Sequence, residues 1–328
     1  MHQVAIWGAG SMGRMHANCY RQCDEAKVKY VIDQDIEKAC NVAALCGAVP
    51  QAHPDTALKD PEIDVIDVCL PTYLHRECVE KAAHAGKHVF CEKPIALTPD
   101  DAKEMIETCR QHNVKFGIGH VLRYFPEYEL AHDMITSGRL GEIGVIRMSR
   151  TGPFPKGWEN WYSDSKRSGS LLLDLSIHDF DFLAWCFGNV ERIFARSARH
   201  DGKPLEYAAA IVRMKSGVIA HVEGSWAHPA QFSYNFEVCG SLGMIEFDSR
   251  KAQPLTVLTR DVNTGKPGVA VPESPLKDKH PYLREIREFL AFTAGETTPR
   301  VTPLDAVQAL EISLAALKSA KTGEVVQL

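Results

Sequence analysis

Over the first 120 residues, short apolar runs alternate with longer helix-like stretches, joined by short connections. The runs predict strands near 2–7, 28–33, 64–70, 87–92 and 114–120, and the stretches predict helices near 12–23, 35–46, 75–85 and 98–112. That alternation implies a parallel sheet. The run Val65-Ile66-Asp67-Val68-Cys69-Leu70 is largely apolar, as a strand covered on both faces should be. Helix ends are marked by Thr98 with Pro99, Asp100 and Asp101 at a start, and by Gly47 and Gly86 at stops.

The pattern changes near Arg123. A helix-like stretch at 126–137 leads into strands near 143–151, 190–199, 207–215, 218–226, 232–239 and 244–248. Hairpin signals such as Lys215-Ser216-Gly217 and Gly240-Ser241-Leu242-Gly243 join several of them. One long helix, about 169–187, is embedded among these strands, segment 249–280 reads as irregular, and helices near 281–294 and 303–321 close the chain. The fold class expected is α/β: an N-terminal doubly wound parallel sheet over 1–122, then an α+β domain over 123–328 built on an open antiparallel sheet.

The chemistry begins at the first turn. Strand 2–7 breaks into Gly8-Ala9-Gly10-Ser11-Met12-Gly13, and a helix follows. Gly8 permits the sharp turn, Gly10 lets backbone approach a pyrophosphate, and Gly13 lets helix and strand pack closely. The free N–H groups at the start of the helix, around Ser11 and Met12, are suited to hold phosphates. The second strand ends in Asp33, twenty residues after Gly13, where an acid accepts hydrogen bonds from ribose hydroxyls and repels a 2′-phosphate. Gln34 and Asp35 follow, with no adjoining Arg or Lys, so the expected cofactor is NAD rather than NADP. Ligands of such sheets gather beyond the C-terminal strand ends. Pro71, Thr72 and His75, then Glu92-Lys93-Pro94, then His120 and Arg123 fall there, and Pro71, Thr72, His75, Glu92 and Lys93 are expected to bind the cofactor.

The embedded helix carries Asp174, His178 and Asp181 at i, i+4 and i+7, hence on one face. A polar stripe in so apolar a helix is costly unless it faces a cleft; a structural ion pair is the alternative. In the functional reading His178 is an acid/base and the carboxylates orient it and bind hydroxyls. Lys93 is the group placed to stabilise a developing alkoxide. Phe154, Trp158, Trp161 and Tyr162 cluster before the helix; such rings suit the apolar faces of sugar or cyclitol rings, or pack as core or subunit contacts.

Composition adds exclusions. Of 328 residues, 45% are hydrophobic and 24% charged, as in ordinary globular proteins. With 37 basic against 42 acidic residues and no basic run, nucleic acid is not an expected partner. No apolar stretch approaches the roughly 18–20 residues of a membrane span. The ten cysteines form no Cys-x-x-Cys, which with an N-terminus running straight into a strand points to a reducing, cytoplasmic setting. His84 and His88 have metal-like spacing, but Gly86 between them should end the helix, so no metal site is expected.

Taken together, the glycine turn, Asp33, Pro71-Thr72 with His75, Glu92-Lys93-Pro94 and the Asp174…His178 helix resemble the glucose–fructose oxidoreductase, inositol dehydrogenase and MocA-like dehydrogenases, in order and over nearly the whole chain. The resemblance implies Lys93, Asp174 and His178 as the catalytic set and Arg123 and Asp181 as substrate contacts. It also implies homodimers or homotetramers formed through the open sheet. Segment 153–162, with Trp158 and Trp161, looks more like the inositol dehydrogenase branch. The helix begins Gly169-Ser170-Leu171, where many members carry a further glycine. The function expected is hydride transfer between NAD and a secondary hydroxyl of a cyclitol or pyranose. An NAD-retaining glycoside hydrolase using transient oxidation, and a non-catalytic NAD sensor, are the competing classes.

Overall fold

The computed structural model describes residues 1–199, 205–229, 232–251, 255–260, 267–270 and 280–328. The chain opens with β1 (His2–Trp7), α1 (Ser11–Tyr20), β2 (Ala26–Ile32), α2 (Ile36–Cys46), β3 (Val49–Gln51), α3 (Asp55–Lys59), β4 (Val65–Val68), α4 (His75–His84), β5 (His88–Glu92), α5 (Pro99–Gln111) and β6 (Phe116–Gly119). It continues with α6 (Pro126–Thr136), β7 (Ile143–Thr151), α7 (Ser165–Ser168), α8 (Ser170–Asp174), α9 (Ile177–Phe187), β8 (Val190–Arg199), β9 (Glu206–Met214), β10 (Ile219–Ser225), β11 (Ser233–Gly240) and β12 (Gly243–Asp248). It ends with β13 (Leu255–Arg260), β14 (Pro267–Ala270), α10 (Pro281–Thr293), α11 (Pro303–Thr322) and β15 (Val326–Gln327).

The chain divides into two compact units: Met1–Tyr124 with Gly157–Trp161 and Lys279–Val307, and Phe125–Lys156 with Tyr162–Asp278 and Gln308–Leu328. The single boundary expected after residue 122 is therefore joined by two later segments that return to the first unit.

In the first unit a six-stranded sheet has the order β3-β2-β1-β4-β5-β6, with every pair parallel. The strand order reverses between β1 and β4, the place where such sheets open a ligand crevice. Val4, Ile6, Val28, Val65 and Phe90 are buried, and α10 brings Ile286, Phe289 and Leu290 onto the same core. The Phe90 and Phe289 rings lie 5.0 Å apart. Gly117 makes room for that contact, since a Cβ there would stand 2.5 Å from Phe289.

The second unit is built on a nine-stranded sheet of order β14-β13-β12-β11-β7-β10-β9-β8-β15. Its pairs are antiparallel except β7 with β10. Two of its strands, β13 and β14, lie inside segment 249–280, which the sequence pattern alone presents as irregular; residues 252–254, 261–266 and 271–279 lie outside the described residues. The expected helix 169–187 is in fact two helices, α8 and α9, interrupted at Leu175 and Ser176. Asp174 ends α8 while His178 and Asp181 stand on α9, so the three do not share one continuous helical face. Gly224 of β10 permits this packing: a Cβ there would fall 2.4 Å from Leu171 and 2.8 Å from Ser176 Oγ.

Candidate functional site

In the first unit the glycine turn is shaped by three different demands. Gly8 has φ +116°, and a Cβ on it would meet the Cys69 carbonyl oxygen at 2.4 Å. A Cβ on Gly13 would stand 1.8 Å from the Gly8 oxygen. Both glycines are thus required by the protein's own packing. Gly10 is exposed and, among the described residues, has open space around the position of a Cβ, so the protein's own packing does not require a glycine there. It precedes α1, whose N-terminus carries no side-chain cap and no acid in its first turn. Exposed Ser11 and half-buried Met12 follow. Uncapped N–H groups at the positive end of a ten-residue helix fit a pyrophosphate.

Asp33 stands beside this turn. Its Oδ2 accepts from the Ala9 N–H at 2.8 Å and its Oδ1 from the Asp35 N–H at 2.9 Å. The carboxylate is held in one orientation, with the remaining lone pairs of both oxygens available to ribose hydroxyls.

Thr72 and His75 are buried. The two ring nitrogens of His75 lie 2.9 Å from the Pro94 oxygen and 2.8 Å from the Leu70 oxygen. His75 therefore braces the loop after β4 against the loop after β5. Burial holds it below the ordinary imidazole value, against the pull of the two carbonyls. Pro71 between these loops is half-buried.

Lys93 emerges where β5 ends, and in 89–96 it is the one residue that is not buried. Glu92 beside it is 5% exposed and turned inward. Its Oε2 accepts the Lys93 N–H at 3.1 Å, and its Oε1 lies 3.2 Å from His16 Nε2. Burial works against the charge on Glu92, but His16 and Lys93 outweigh it and hold the carboxyl below its usual range. His16, on α1, was not among the residues the sequence singled out.

Arg123 lies inside the first unit, 3% exposed, donating to the Arg300 oxygen at 3.0 Å and lying 3.4 Å from Asp305. Trp158 is exposed, while Trp161 is buried with its ring 6.4 Å from that of Tyr73.

In the second unit, His178 has the same character as Lys93: across 171–184 it is the one residue that is not buried. Asp174 is 9% exposed and Asp181 fully buried. Next to His178, Asp179 pairs with Arg150 of β7. Phe154 and Tyr162, from the aromatic segment, pack edge-on against Trp226, at 5.4 and 5.9 Å.

A family model described as an oxidoreductase family with an NAD-binding Rossmann fold, GFO_IDH_MocA, matches residues 2–120. A GFO/IDH/MocA C-terminal domain model matches residues 128–246. The chain belongs to the GFO/IDH/MocA family. It is an NAD-dependent oxidoreductase, and the glycine turn with Asp33 would hold the dinucleotide, which supplies the hydride-carrying nicotinamide. Similar proteins include a myo-inositol 2-dehydrogenase of Thermotoga maritima, 27% identical over 99% of this chain and 98% of the relative. Another is a scyllo-inositol 2-dehydrogenase (NAD(+)) of Bacillus subtilis, 29% identical over 100% of this chain and 97% of the relative. A solved levoglucosan dehydrogenase, in complex with NADH and L-sorbose, has the same fold, with a TM-score of 0.86 at 22% identity over 99% of this chain and 98% of that one.

Proposed function

We propose that this member transfers a hydride between NAD and a secondary hydroxyl of a cyclitol, with a pyranose sugar as the nearest alternative substrate. The observation that carries the reading is that Lys93 and His178 are each the only unburied position in an otherwise buried stretch. A side chain that alone reaches outward from a buried stretch, Lys93 just past a strand end and His178 on a helix, suits a role toward a ligand better than packing.

In the oxidising direction the carbinol carbon gives up its hydride to the nicotinamide while its hydroxyl gives up a proton, leaving a ketone. His178 takes that proton, a role suited to imidazole near neutral pH. The Lys93 ammonium stabilises the developing alkoxide. Asp174 orients the imidazole, and Asp181, Arg123, Trp158 and Trp161 contribute to holding the substrate. Full-length likeness to two inositol dehydrogenases supports a cyclitol.

The open face of the nine-stranded sheet, where Tyr207, Ile211 and Ile219 are exposed, supports homo-oligomer formation through that sheet. All ten cysteines are free thiols, which suits the reducing cytoplasm. No described helix is long and apolar enough to cross a membrane.

The test is a panel of cyclitols and sugars incubated with NAD, followed by absorbance of reduced nicotinamide. Accumulating NADH with a cyclitol is the expected result. Glycoside cleavage without net NADH would move the protein to the hydrolase class, and silence on both would leave a sensor.

A further inference from the structure

We propose that His16 is a positioning residue for Lys93, acting through Glu92; this rests on the reading of Lys93 as a catalytic group. His16 stands on α1, barely a turn beyond Gly13, with its ring fully buried. Its Nδ1 donates to Asp67 Oδ2 at 2.9 Å, with Oδ1 at 3.1 Å, and its Nε2 faces Glu92 Oε1 at 3.2 Å. The ring is stacked 5.8 Å from that of Phe90 and lies 6.2 Å from that of Tyr282. A neutral imidazole has one N–H, so it can satisfy one carboxylate only. With a carboxylate at each nitrogen, both inside the core, the fitting species is the imidazolium. Burial opposes the charge, but Asp67 and Cys69 raise His16 well above the ordinary imidazole value.

The consequence runs along a chain of contacts. Asp67 fixes the ring from β4 by hydrogen bonding, and the ring's other nitrogen makes an ion pair with one oxygen of Glu92. The other oxygen holds the Lys93 N–H where the chain leaves β5. Gly119 on the neighbouring strand leaves just enough room, since a Cβ there would meet the Glu92 carboxylate at 3.4 Å. A lysine on a flexible four-carbon stem needs a fixed base if its ammonium is to stay beside one oxygen. The base here is tied to the same helix whose N-terminus receives the pyrophosphate.

The test compares His16→Gln, Glu92→Gln, the double variant and Lys93→Ala. Each of the glutamine variants should lower kcat at least tenfold, and His16→Gln should leave the Kd for NAD within about threefold. Because the two residues act along one path, the double variant should be no slower than the worse single. Reductive 13C-methylation gives a readout that needs no turnover: the Lys93 methyl resonance should shift or broaden in His16→Gln while the other lysines stay put. Wild-type kcat and an unmoved Lys93 resonance in His16→Gln, or effects that multiply in the double variant, would overturn the proposal. Should His16→Gln fail to fold, the triple variant with Asp67→Asn and Glu92→Gln removes every unpaired charge at once, and wild-type kcat there would overturn it equally. Near-wild-type turnover of Lys93→Ala would instead remove the reading on which the proposal rests.

Discussion

Arg150 Nε lies 2.9 Å from one carboxylate oxygen of Asp179 and 3.0 Å from the other. Asp179 is the next residue after His178, so this buried pair ties the helix bearing His178 to β7. Arg150 also donates to the Tyr128 hydroxyl at 2.9 Å and lies over the rings of Tyr128 and Tyr234. Removing one partner of a buried pair leaves an uncompensated charge. Asp179→Ala should therefore cost about 3–5 kcal/mol in urea unfolding. It should also lower kcat, because α9 loses its anchor. A loss below about 1 kcal/mol would show that the pair does not hold the helix.

Glu285, on α10, is 2% exposed, and among the described residues neither of its carboxyl oxygens has a hydrogen-bond partner. Burial, reinforced by Glu92 and Asp67, raises it well above the ordinary glutamate value. The folded protein thus keeps a proton that the unfolded chain releases above about pH 4.5. Stability from this group is greatest at low pH and declines as pH rises toward the folded value, by up to about 1.4 kcal/mol per unit. Glu285→Gln removes that decline. Thermal melts should show the variant gaining on wild type between pH 5.5 and pH 8.5, and parallel pH profiles for the two proteins would refute the assignment.

The glycine turn separates folding from binding. Gly13→Ala places a Cβ against the Gly8 oxygen and should destabilise the first unit by about 1–3 kcal/mol. Gly10→Ala meets no protein atom, so its melting temperature should stay put while the Kd for NAD rises tenfold or more. Unchanged NAD affinity in Gly10→Ala would mean that the pyrophosphate does not approach there.

Asp33→Ala should weaken NAD and narrow the gap to NADP, because it removes both an acceptor for the ribose hydroxyls and the repulsion of a 2′-phosphate. Titration with each dinucleotide checks this. Equal affinities before and after the substitution would contradict the placement of Asp33. Some loss of stability should accompany the change, since the Ala9 N–H loses its acceptor.

Much of this architecture is legible in the pattern of apolar runs, because a strand buried on both faces and a capped helix announce themselves locally. Thr98 caps its helix as its sequence suggests, accepting from the Asp101 N–H. What is not legible depends on distant partners. No Gly or Pro marks the break at Leu175 and Ser176; a glycine on β10, some fifty residues later, permits it. The placement of α10 on the first sheet is likewise hidden, since an amphipathic helix shows its apolar face but not what covers it. His16 does have a signal in the sequence. Asp67 is charged in an otherwise apolar strand, and a buried carboxylate demands a buried partner.

The most direct test of the account is NADH production by the wild-type protein and by Lys93→Ala and His178→Ala, each saturated with NAD and supplied with the preferred cyclitol or sugar from the panel. Hydride transfer assisted by Lys93 and His178 predicts steady NADH formation in the wild type, and turnover reduced by roughly 10²–10⁴ in both variants with NAD still bound. Near-wild-type NADH formation in either variant would contradict it.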